Sequence, residues 1–124
     1  MKYHNTKIKT PDGTFDSKKE YAEWKKLKLL EQAGIISNLE RQKEFQLIPT
    51  IRTTEETLRR CSYFADFFYF DKTLNCWAVR DTKGFQTETY KLKKRLMLWL
   101  YPEIVFVESG KKIKTYRNTL EVNK

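Results

Sequence analysis

Asp66, Asp81 and Lys83 are the residues whose types and spacing best suit chemistry. Asp66 lies inside an aromatic run, YFADFFYF, where a buried carboxylate needs a partner or a cation. Asp81 and Lys83 are two residues apart, so both point to one face of a strand. A short hairpin brings Asp66 near Asp81, and two carboxylates and a lysine then converge at the end of a sheet. Such a pair attracts Mg2+, with waters and a backbone carbonyl completing the octahedron. The cation lowers the pKa of a bound water and neutralises charge developing on a phosphate; a nearby lysine positions that water or stabilises the transition state. The chemistry is phosphodiester hydrolysis. The same spacing also fits a structural arrangement, with Asp66 paired to Lys83 or Arg80 and residues 81–83 forming a solvated strand end.

The elements that must position these groups follow from the pattern. Residues 1–16 read as a polar arm turning at Pro11-Asp12-Gly13. Ser17 opens a helix whose apolar face is Tyr21, Trp24, Leu27 and Leu30, with Gly34 placed to end it. Residues 36–48 suggest a strand or two short ones, and the polar stretch 49–60 a hairpin loop. Residues 62–70 predict a central strand, 71–75 a turn, and 76–83 the second strand of an antiparallel hairpin. Residues 87–101 predict a second helix, capped by Thr87 and stopped by Pro102. Residues 103–108 predict a strand parallel to the preceding one. The tail from 109 shows no strong pattern. The expected fold is α/β, in the order α-β-β-β-α-β, with a mixed central sheet flanked by helices.

Composition narrows the function classes. The 124 residues suit one domain, with an arm (1–16), a core (17–108) and a basic tail (109–124). Aromatics at 15% and hydrophobics at 40% exclude a disordered basic tail and supply one core. No apolar stretch approaches the ~18 residues of a membrane helix, and the N-terminus lacks a signal-peptide run. A soluble cytoplasmic protein with no membrane partner is expected. Cys61 and Cys76 are the only cysteines and read as packing residues; with His4 they cannot complete a zinc site. A net charge of +9 points to a polyanion, nucleic acid first.

Ala65-Asp66, followed after about fifteen residues by Asp81-Thr82-Lys83, resembles the signature of the PD-(D/E)XK nuclease superfamily, with Ala65 where the family usually has proline. The ordered set FDSKKE, YFADF, VRDTKG, a Lys-rich helix and YPEIVFVE is similar to small phage junction-resolving endonucleases of the endonuclease I type. It also resembles short, uncharacterised phage proteins of that superfamily. The likeness covers residues 14–108. It implies a restriction-endonuclease-like core and a Mg2+-dependent endonuclease, with Mn2+ as substitute. The implied substrate is branched DNA such as a Holliday junction, cut by a homodimer in the host cytoplasm. Asp66 and Asp81 match the metal-binding acids, Thr82 the backbone-carbonyl ligand, Lys83 the catalytic lysine and Glu20 the first-helix acid. Glu20 also fits a capping box, Ser17-Lys18-Lys19-Glu20, reaching back to its own helix start.

Further candidates frame the site. Lys91, Lys93, Lys94 and Arg95 form either a solvated helix face or a set of phosphate contacts. Gln86 and Thr87 fit DNA positioning or helix capping. Lys111, Lys112, Lys114 and Arg117 suggest electrostatic contacts, and His4 sits in an arm able to touch DNA. Trp24, Trp77 and Trp99 read as core. The charge reads as a basic rim around a small acidic centre. Mismatch-nicking, restriction-like and transposition-associated nucleases are alternatives, as is a catalytically silent nucleic-acid-binding module on the same fold.

Overall fold

The structure is a computed structural model and describes residues 7–82 and 86–119. Strands β1 (Ile8–Thr10) and β2 (Gly13–Phe15) form a small hairpin where a polar arm was expected. The turn at Pro11-Asp12-Gly13 is there: Thr10 Oγ1 accepts from Asp12 N and donates to the Gly13 carbonyl, and Gly13 sits at φ 117°. Phe15, fully buried, anchors the hairpin to the domain, with the Arg41 guanidinium 3.6 Å over its ring.

Helix α1 (Lys18–Gln32) starts at Ser17, whose hydroxyl accepts from Glu20 N at 3.0 Å. It stops at Gly34, whose φ of 78° lets its own N–H reach the Glu31 carbonyl and that of Ile35 reach Leu30. Strand β3 (Ile36–Ile48) follows, then a minor hairpin of β4 (Ile51–Arg52) and β5 (Thr57–Leu58), exposed throughout. Strands β6 (Cys61–Asp71) and β7 (Cys76–Asp81) make the expected antiparallel hairpin, its turn held by Asp71 Oδ1 accepting from Thr73 N and Leu74 N. Helix α2 (Glu88–Leu100), capped by Thr87, leads to β8 (Ile104–Ser109), which pairs parallel to β7. Strand β9 (Ile113–Tyr116) was not expected; it adds an antiparallel edge beside β8.

The result is α/β: a mixed sheet in the order β3-β6-β7-β8-β9, with two main helices. Each helix closes a core. Leu27, Phe67, Tyr69, Ala78, Val105 and Val107 pack with Trp24 on the α1 side. Phe45, Tyr63, Ala65, Val79, Met97 and Phe106 pack on the α2 side. Cys61 and Cys76, both free, are half-buried against the α2-side and α1-side cores respectively.

Strand β6 changes faces along its length. Tyr63 and Ala65 face the α2 side, whereas Phe67 and Tyr69, of the same parity, face the α1 side. A regular strand cannot do this, because its side chains alternate strictly. The break falls at Asp66. In register its opposite number on β3 is Gln42, which has a left-handed φ of 51°. Asp66 is consequently half-buried rather than sunk in the core as expected from its aromatic neighbours.

Trp24 and Trp77 stack on Phe67 and Phe68 as core residues. Trp99 does not: it is 69% exposed. The inward residue of that turn is Met97, and a step of two residues turns a helix by about 200°. Among the described residues, no helix is long and apolar enough to cross a membrane.

Candidate active site

The carboxyl ends of β7 and β8 lie side by side, with Asp81 directly opposite Glu108 in the parallel register. Both acids are buried, at 3% and 4% exposure, and each is held by a tyrosine. Tyr63 Oη donates to Asp81 Oδ2 at 2.7 Å, and Tyr90 Oη donates to Glu108 Oε2 at 2.7 Å. Lys94 adds its ammonium to Glu108 Oε2 at 2.9 Å. Burial alone pushes the Glu108 carboxyl up, but the Lys94 and Tyr90 hydrogen bonds outweigh it and hold the group below its ordinary range. Burial, then the Asp81 charge, drives the Tyr63 hydroxyl far up, so it remains a neutral donor.

Glu20 and Asp66 form the other half of the centre. Gln42 Nε2 lies between them, 3.2 Å from Glu20 Oε2 and 3.4 Å from Asp66 Oδ1. The left-handed backbone at Gln42 thus accompanies an amide shared by two carboxylates. Asp66 Oδ2 also accepts from both the backbone N–H and the hydroxyl of Thr82, each at 2.9 Å. Glu20, 3% exposed, is raised from 4.5 to about 7 by burial first, then by the negative charges of Asp66 and Asp16. Gln42 and Arg41, whose Nη2 is 3.9 Å away, offset this only in part. The backbone half of the capping box at Ser17 forms, while the Glu20 carboxylate turns to Gln42.

Of the expected site residues, the structure bonds Thr82 to Asp66, joins Asp66 to Glu20 through Gln42, and places Asp81 at the end of β7. Lys83 and His4 lie outside the described residues. Of the helical basic residues, Lys94 turns inward to Glu108, Lys91 pairs with Glu88, and Lys93 and Arg95 have no ion pair among the described residues. The reading of Lys94 as a solvated or phosphate-facing residue is therefore corrected: its side chain is 14% exposed, and buried Glu108 claims the charge. Thr87 caps α2. Lys111 and Lys112 stand on the rim, around a groove of about 620 Å3 that Gln86 and Glu108 also line.

Glu108, Tyr63, Tyr90 and Gln42 escaped the sequence reading. Glu108 had a usable signal, an acid closing the apolar run IVFV as Asp81 closes CWAVR. The tyrosines and Gln42 had none, since each acts through a partner at least 18 residues away.

The donor chemistry fits a hard divalent cation: the side-chain donors are carboxylate oxygens, and at Glu20 burial and nearby negative charge outweigh Gln42 and Arg41. Among the described residues no group of three or more acids already stands ready to hold an ion. Binding one draws on Asp66 oxygens that now accept from Thr82 and Gln42.

No curated protein and no solved structure matches the chain. A family profile described as "Protein of unknown function (DUF1064)" matches residues 1–117, nearly the whole length, and the chain belongs to that family.

Proposed function

We propose that this protein is a Mg2+-dependent DNA endonuclease of the PD-(D/E)XK type, built on a restriction-endonuclease-like core and directed at branched DNA. The observation that carries the reading is the junction at Asp66. There a face change in β6 and a left-handed Gln42 put Asp66 between Glu20 of α1 and Thr82, beside the end of β7 that bears Asp81. Glu20 and Asp66 sharing one amide, with Asp81 ending the neighbouring strand and a lysine-lined groove at Glu108, suit phosphodiester hydrolysis. Burial and Asp66 oppose the ionisation of Glu20, a perturbation that clusters at functional sites.

Asp66 and Asp81 would hold the cation, with the Thr82 carbonyl and Glu20 as further ligands. When bound, the metal supplies a water of lowered pKa and charge neutralisation at the phosphate. Tyr63 fixes the orientation of the Asp81 carboxylate. Lys83 is assigned to the attacking water or the phosphate charge. A homodimer acting in the host cytoplasm accompanies this reading, since two opposed strands must be cut.

One observation favours a binding-only module instead: both Asp66 oxygens already accept hydrogen bonds, and no ready metal group stands among the described residues. Incubating the protein with labelled four-way junction and linear duplex, in Mg2+ or in EDTA, separates the two. Mg2+-dependent cleavage of the junction is expected. No cleavage of any DNA leaves the binding-only module, and equal cutting of duplex removes only the preference for branches.

A further inference from the structure

The groove beside the acidic centre is bordered by Lys19 from the first turn of α1, by Lys111 and Lys112 from the β8–β9 turn, and by Lys114 from β9. Gln86 adds an amide. None of the four lysines has an ion pair among the described residues, although the chain pairs many of its other cations, Lys7, Lys28, Arg60, Arg80 and Lys91 among them. Four unneutralised ammonium groups around one concavity repel one another, and a polyanion removes that repulsion. Among the described residues Glu108 is the acid that lines the groove, and Lys94 and Tyr90 bind it from behind, which weakens its opposition to an incoming anion. The groove adjoins the acidic centre at Glu108, which lines it and pairs in register with Asp81.

We propose that this groove, and not the exposed face of α2, is where the sugar–phosphate backbone of a nucleic-acid strand lies. Lys19, Lys111, Lys112 and Lys114 meet successive phosphates and Gln86 donates to a backbone oxygen. The contacts are to phosphate, so they set position without reading sequence. The inference rests on the nucleic-acid part of the proposed function and not on its catalytic part.

The test is binding in EDTA, by fluorescence anisotropy of labelled four-way junction, duplex and single-stranded oligonucleotides across a salt series. Wild type is compared with Lys19→Ala, Lys111→Ala, Lys112→Ala and Lys114→Ala. Lys72→Ala is the control, removing equal charge from the β6–β7 turn at the far end of the sheet. Lys91→Ala and Arg95→Ala report on the α2 face. Each groove substitution is expected to make the log affinity–log salt slope shallower by about 0.7–0.9, depending on the strandedness of the probe, while the control and α2 variants leave it unchanged. Equal loss in all variants, loss confined to the α2 variants, unaltered slopes in the groove variants, or no DNA binding by wild type would each overturn the groove. Groove-dependent binding without Mg2+-dependent cleavage removes the nuclease and leaves the groove standing. Cleavage with unaltered groove slopes does the reverse.

Discussion

The two halves of the acidic centre are opposites. On the α2 side, Asp81 and Glu108 are buried but answered by Tyr63, Tyr90 and Lys94, and Glu108 is held below its ordinary pKa range. On the α1 side, Glu20 is equally buried but faces Asp66 across a shared amide, and its carboxyl rises to about 7. Compensated charge stabilises a fold, whereas uncompensated charge opposes it and persists where a ligand supplies the missing partner. The α2 half therefore reads as the frame and the α1 half as the working edge. Substitutions on the two sides should fail in different ways.

The largest effect belongs to the frame. Lys94→Met strips the ammonium from Glu108 and leaves a buried carboxylate with only neutral tyrosine donors, Tyr90 and Tyr116. Breaking one partner of such a pair costs about 3–5 kcal/mol, read as a lower urea midpoint at neutral pH. Adding Glu108→Gln to that variant should recover much of the loss. If Lys94→Met unfolds no more easily than wild type, the pair is not part of the frame.

The next effect belongs to the working edge and spares the fold. Asp66→Asn removes a carboxylate that repels Glu20, so the melting temperature should hold or rise. Cleavage of four-way junctions should fall by about 10²-fold or more, because a carboxylate assigned to hold the cation is lost. Binding in EDTA should stay near wild type. Parallel losses of stability and activity would put Asp66 in the frame and erase the distinction.

Much of the frame was legible in the sequence. Both helices announced themselves by caps and periodicity, from Ser17 to Gly34 and from Thr87 to Pro102. The β6–β7 hairpin followed from two apolar runs around a short turn. What was hidden has a common cause, namely pairing with distant residues. Strand β9 is an exposed sheet edge carrying Lys114, so IKTY shows no apolar alternation. Phe15 looked like part of a polar arm because its pocket is made by Tyr21, Trp24 and Arg41. The site was half legible. Asp66 and Asp81 stood out as acids in apolar runs, but the face change that aims Asp66 depends on Gln42 of another strand. Glu20 was ambiguous because one local pattern serves as both cap and site, and only the fold shows its carboxylate turned to Gln42.

Glu20 gives the third prediction, in which the sign is informative. Its carboxyl binds a proton more tightly in the folded chain, at about 7, than at its ordinary 4.5. Its contribution to stability is therefore best below 4.5, is lost as pH rises toward 7, and stays lost above. Glu20→Gln should then be more stable than wild type at pH 8, by up to about 3 kcal/mol, and the gap should close by pH 4. Thermal unfolding across that range measures it. A variant that is less stable than wild type at pH 8 would move Glu20 into the frame.

The smallest effect tests whether the two halves communicate through Asp81. Tyr63→Phe keeps the ring in the α2-side core and deletes only the hydroxyl that donates to Asp81. Losing a hydrogen bond to a buried charged group costs about 1–3 kcal/mol, so the variant should unfold somewhat more easily in EDTA. If Asp81 also holds the cation, Mg2+ gives that carboxylate a new partner in place of the lost hydroxyl. Mg2+ should then raise the melting temperature of Tyr63→Phe more than that of wild type. Tyr90→Phe, whose acid keeps Lys94, should show a smaller difference. Equal Mg2+ shifts in wild type and both variants would confine the cation to the Glu20–Asp66 side and make Asp81 part of the frame alone.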